Sequence, residues 1–116
     1  MRPKYPKSDS NHKLVSKVMK EVYGAEFHYG AWYGRISGKS IIAMDTSKLG
    51  GSLLDWVILI DNRAWFVEIK QPGKESTLTD GEKYFFRNSE ANKAVVTSEQ
   101  MLVDFVSAWL RDNGQT

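Results

Sequence analysis

Two apolar runs, residues 54–60 and 64–70, flank the turn-forming triplet Asp61-Asn62-Arg63. Their β-branched and aromatic side chains favour extended backbone, and the triplet predicts that they fold back on each other as an antiparallel hairpin. Runs this continuously apolar need cover on both faces, so both strands should lie inside a sheet flanked by helices. That requirement predicts an α/β fold built on a mixed sheet. It also isolates three charges that such strands would not hold by chance: Asp55 near the start of one, Glu68 and Lys70 at the end of the other.

The rest of the chain supplies the cover. Residues 1–8, with Pro3, Pro6 and basic Arg2, Lys4 and Lys7, read as an extended arm, and residues 9–113 as one domain. Leu14, Val15, Val18, Met19 and Val22 recur at helical spacing, with Ser8, Asp9 or Ser10 as caps and Gly24 as the stop. Residues 27–44 suggest one or two strands with turns at Gly34-Arg35 and Gly38-Lys39, and residues 45–52 a mobile loop. After Gln71-Pro72-Gly73, Thr79 or Asp80 would cap a short helix bearing Tyr84, Phe85 and Phe86. Residues 93–96 form a strand placed parallel to 64–70 by a right-handed helical crossover. Thr97 or Ser98 then caps a last helix burying Met101, Leu102, Phe105, Val106, Trp109 and Leu110, ended by Asn113-Gly114.

At 116 residues without a cysteine, the chain excludes disulfides, thiolate zinc sites and a cysteine nucleophile. The start shows no apolar signal core, and no apolar run reaches the ~20 residues that span a bilayer. A soluble, cytoplasmic protein without membrane partners is the expectation. Six basic residues against Asp9 alone give the first twenty positions a balance of +5, leaving ten basic against thirteen acidic, −3, in the remainder. A basic segment beside an acidic body suits a polyanion such as DNA, and equally a solvated lysine-rich helix face.

Glu68 and Lys70, two residues apart on a strand, share a face, and the hairpin returns Asp55 beside them at one edge of the sheet. Two converging carboxylates repel unless a counter-charge joins them. A hard cation such as Mg²⁺ or Mn²⁺ would supply it, held by Asp55, Glu68 and the Ile69 carbonyl. It would activate water and neutralise charge on a phosphate while Lys70 stabilises the transition state, so phosphodiester hydrolysis is the reaction these parts suit. The competing interpretation is a Glu-x-Lys ion pair on a solvated strand end.

Gly50-Gly51-Ser52-Leu53-Leu54-Asp55, then twelve residues, then Glu68-Ile69-Lys70, resembles the PD-(D/E)XK nuclease superfamily, most of all its stand-alone VRR-NUC domains. Pro72-Gly73, Leu78-Thr79, the strand Ala94-Val95-Val96 and Ser98 follow in similar order. The resemblance implies a restriction-endonuclease-like αβββαβα core, with Asp55 and Glu68 as metal ligands and Lys70 as the catalytic lysine. It further implies a homodimer acting on branched or junction DNA in replication or repair, in a phage or mobile-element setting. Leu54 stands where the family often has proline. Asn11, with Asp9 and His12 nearby, replaces the acidic residue of the first helix, and Glu82 replaces a glutamine. Two rivals are a sequence-specific restriction-type endonuclease, and a nucleic-acid-binding or assembly module that has lost turnover.

Other candidates are weaker. His12 and His28 lack zinc-ligand spacing, and Gly34, Gly38, Gly50 and Gly51 lead into no phosphate-binding Gly-Lys-Ser/Thr. Tyr29, Trp32 and Tyr33, beside Arg35 and Lys39, could stack on bases, or alternate members could pack into the core.

Overall fold

The hairpin forms as the turn residues require. In the computed structural model, which describes residues 6–46, 54–74 and 77–113 (the side chains of 6–12 and 113 excepted), strand β4 (Trp56–Ile60) pairs antiparallel with β5 (Arg63–Ile69). The turn is shorter than the triplet suggested: Asp61 and Asn62 both take positive φ, 54° and 68°, and Arg63 already belongs to β5. Asp and Asn tolerate this left-handed backbone, whose twist matches that of the strands. The two-residue loop sets the register, Trp56 opposite Val67 and Ile58 opposite Trp65.

Six strands form one sheet in sequence order. Residues 27–44, read as one or two strands, hold most of three: β1 (Glu26–His28), β2 (Ala31–Ile36) and β3 (Lys39–Asp45), each antiparallel to its neighbour. Asp45 thus ends a strand rather than opening a loop, and residues 47–53 lie outside the described residues. Strand β6 (Asn92–Val96) pairs parallel with β5, as the crossover predicts.

The Gly34-Arg35 pair is not a turn. Gly34 sits inside β2, where an added Cβ would stand 3.0 Å from the Tyr23 carbonyl oxygen and 3.1 Å from the Ala25 Cβ. Its role is to let the first helix approach the sheet. The turn falls instead at Ser37-Gly38, both at positive φ.

Helix α1 (Pro6–Tyr23) begins three residues earlier than the cap pattern suggested, so part of the basic arm is helical. Proline is tolerated in a first turn because its missing N–H would have no helical partner there. Gly24, at φ 61°, ends the helix, and the Ala25 N–H donates back to the Met19 carbonyl. Helices α1 and α3 (Glu99–Asn113) cover one sheet face: Val15, Val18, Met19, Leu102 and Val106 pack with Ile41, Ile58, Val67 and Ile69. Full burial of each such side chain contributes about 1.5–3 kcal/mol. Trp65 seals this face edge-on against Phe105 at 4.5 Å between ring centroids. Ser98 caps α3 through the Met101 N–H, and Met101 itself is exposed rather than buried.

Alternation sends Phe66, Glu68 and Lys70 to the opposite face. There α2 (Asp80–Asn88) packs Phe85 against Phe66 at 5.1 Å. Among the described residues, no helix is long and apolar enough to cross a membrane.

Candidate active site

Asp55 directly precedes β4, and the pairing of Trp56 with Val67, extended one step, sets it across from Glu68. The cluster therefore sits at the end of two interior strands rather than on an edge strand. The backbone there is fixed from β3: the Thr46 N–H donates to the Asp55 carbonyl at 2.8 Å, and the Thr46 hydroxyl donates to the Leu54 carbonyl. The Asp55 side chain reaches over β5, where its Oδ2 accepts the Ile69 N–H at 3.0 Å.

Glu68 and Lys70 are 3% and 7% exposed, so the pair is buried and not on a solvated strand end. Lys70 Nζ lies 3.2 Å from Glu68 Oε2 and 3.4 Å from Glu82 Oε1. Glu82, which the sequence left between solvent and site, joins the cluster through Lys70. Its Oε1 accepts the Thr79 N–H at 2.9 Å, while the Thr79 hydroxyl accepts the Glu82 N–H at 3.1 Å. This reciprocal cap fixes both the start of α2 and the carboxylate that faces Lys70. The spacing Thr79-Asp80-Gly81-Glu82 carries the capping signal; the contact with Lys70 is visible only in the folded chain.

Electrostatic tension concentrates on Glu68. Burial, then repulsion from Asp55, then Glu82 push its carboxyl up to about 8. Asp55 is also raised, by burial first and by Glu82 and Asp45, against the Ile69 N–H and Lys70. Burial alone would lower Lys70, but the Glu68 and Glu82 carboxylates outweigh it and hold the ammonium above its ordinary value. Glu82 is lowered: burial opposes this, and the Thr79 N–H, a hydrogen bond from the Glu68 side chain and Lys70 prevail.

One atom is left over. Glu68 Oε1 is buried with no hydrogen-bond partner. An unpartnered buried acceptor is costly, more so when charged, and either a proton bonded toward Glu82 or a cation completes it. The Ile69 carbonyl is a third oxygen at this strand end. The Lys70 N–H donates to the Val96 carbonyl of β6, and peptide planarity turns the Ile69 carbonyl towards β4 and Asp55. Two carboxylates and a carbonyl are hard oxygen donors of the kind Mg²⁺ or Mn²⁺ takes, so the residues fit such an ion. Among the described residues, no three acidic or histidine side chains gather into a metal-holding group.

Among the described residues, the polar contacts of the remaining candidates are made outside the cluster. His28 lies on β1, its ring 3.1 Å from Glu26 Oε1. Trp32 packs against the core and meets Phe27 edge-on, whereas Tyr29 and Tyr33 are exposed. Arg35 donates to the Gly38 carbonyl at 2.6 Å, and Lys39 Nζ lies 3.7 Å from Asp61 Oδ2. The side chains of Asp9, Asn11 and His12, and all of Gly50, Gly51, Ser52 and Leu53, lie outside the described residues. Comparison with known protein families, curated proteins and solved structures finds no match to this chain.

Proposed function

We propose that this protein is a divalent-metal-dependent endonuclease that hydrolyses DNA phosphodiester bonds. The observation that carries this is the buried, unpartnered Glu68 Oε1, set across from Asp55 with the Lys70 ammonium 3.2 Å from the other oxygen. A purely structural ion cluster would explain Lys70 between Glu68 and Glu82, but not Asp55, which stands across the hairpin from Glu68 and repels it. The order α1-β3-β4-β5-α2-β6-α3 supports a restriction-endonuclease-like αβββαβα core, with β1 and β2 as an added hairpin.

In this reading Asp55, Glu68 and the Ile69 carbonyl hold Mg²⁺ or Mn²⁺. The ion, when bound, supplies Lewis-acid neutralisation of the scissile phosphate and acidifies water. Lys70 remains protonated, so it acts as a positive charge and hydrogen-bond donor rather than as a base. Among the described residues the ammonium faces Glu68 and Glu82, and in this reading its third donor would serve a phosphate oxygen. Glu82 positions Lys70 from the rigid start of α2. Action on branched or junction DNA, and as a homodimer, follows from the family resemblance and forms part of the proposal.

Supercoiled, linear, single-stranded and four-way-junction DNA, each incubated with Mg²⁺, Mn²⁺ or EDTA, test it. Cleavage should require metal and fall at least ~100-fold in Asp55→Ala and Lys70→Ala, as loss of a charge-stabilising group does. Circular dichroism checks that both variants fold. DNA binding without cutting under every metal condition would favour the non-catalytic module instead.

A further inference from the structure

The turn between β1 and β2 consists of Tyr29 and Gly30, at φ 52° and 89°. Left-handed backbone at the first position of such a turn suits Gly, Asn or Asp and strains a bulky side chain. Tyrosine stands there with its ring fully exposed and meeting no other ring among the described residues. Phe27 and Tyr33 nearby are also exposed, while Glu26 and His28 are polar and bonded to each other, so the ring tops a small aromatic surface interrupted by charge. A single aromatic plane with both faces free is what a flat ligand stacks on.

Its position ties it to the cluster. Ala31, Met44, Val57 and Phe66 form one row across the sheet, and the turn, Asp55 and Glu68 all lie beyond the same end of that row. Tyr33, also exposed, shares the sheet face of Asp55 and Glu68. Strand β2 is three steps from β5, about 14 Å at ~4.8 Å per step. That is the rise of roughly four stacked nucleotides at ~3.4 Å each.

We infer that the β1–β2 turn is a nucleobase-stacking finger, in which Tyr29 receives an unpaired base of the strand whose phosphate lies at Asp55, Glu68 and Lys70. The identity of the ligand as DNA rests on the nuclease reading; the exposed, strained ring and its placement do not. Every base offers a π-face, so the finger would favour unpaired over paired strands without reading sequence.

The test compares wild type with Tyr29→Asn, which removes the ring while suiting the turn, and Tyr29→Trp, which keeps an aromatic plane. Anisotropy of a fluorescein-labelled single-stranded oligonucleotide in EDTA reports binding without cleavage. Tyr29→Asn should weaken it roughly five- to a hundredfold while melting no lower than wild type, and Tyr29→Trp should retain it. With Mn²⁺, a single abasic position moved along the strand should slow wild-type cleavage at one offset, about four nucleotides from the cut. That offset should vanish in Tyr29→Asn. Equal binding by Tyr29→Asn, or no binding by wild type, overturns the inference, as does a change in sedimentation mass showing that Tyr29 serves self-association. Wild type that binds through Tyr29 but never cuts leaves the finger standing and removes the nuclease reading.

Discussion

Replacing Glu68 by glutamine keeps the shape of a buried side chain while removing the charge that the fold tolerates worst. In the metal-free protein the Glu68 carboxyl is pushed up to about 8 from an ordinary 4.5, by burial and then by Asp55 and Glu82. Across that interval the folded protein holds a proton that the unfolded chain has released, so wild-type stability falls as pH rises and levels off above it. Glutamine has no such dependence. Two pH units of the interval lie between 6 and 8, equivalent to about 3 kcal/mol at ~1.36 kcal/mol per unit. The stability of Glu68→Gln relative to wild type should therefore rise by about 3 kcal/mol between pH 6 and pH 8.5 in EDTA. For a domain of this size that is roughly 10 °C in melting temperature. Urea denaturation and thermal melts at both pH values measure it. Mn²⁺ at about 100 times its dissociation constant should add ~2.7 kcal/mol to wild type and leave the variant unmoved. A relative stability that stays constant between the two pH values would refute the reasoning, because Glu68 would then be solvated or paired in a way the geometry denies.

Three further outcomes follow from the same structure. Mn²⁺ binding at pH 6.5 should release about one proton, read by calorimetry in buffers of different ionisation enthalpy, and the release should fade above the Glu68 titration near 8. Gly34→Ala should lower stability by about 1–3 kcal/mol in urea, because its methyl group would press on the Tyr23 carbonyl. Thr79→Ala removes the hydroxyl that receives the Glu82 N–H and should lower stability by about 1 kcal/mol in thermal melts.

Much of the site was legible before folding because it is local. The apolar runs, the turn chemistry and two-residue alternation bring Glu68, Lys70 and Asp55 to the same end of one hairpin. The register was less legible, since a two-residue and a three-residue turn differ by a single position and only the backbone at Asp61 and Asn62 decides between them. Glu82 carried half its role in the sequence, as the third residue after Thr79, and half in where α2 lands. Gly34 misled for a related reason. A glycine needed for helix–sheet contact looks in sequence like a glycine needed for a turn. Tyr29 could not be separated from Trp32 by pattern alone, because β1 is only three residues long and alternation has little length over which to show itself.

The strands follow one another across the sheet in the order in which they leave the ribosome, with β5 to β6 the single crossover. Contacts between neighbours in sequence close short loops, which form in microseconds and lose little chain entropy. The carboxylate pair is therefore brought together by one hairpin, with no distant element needed to set Asp55 across from Glu68.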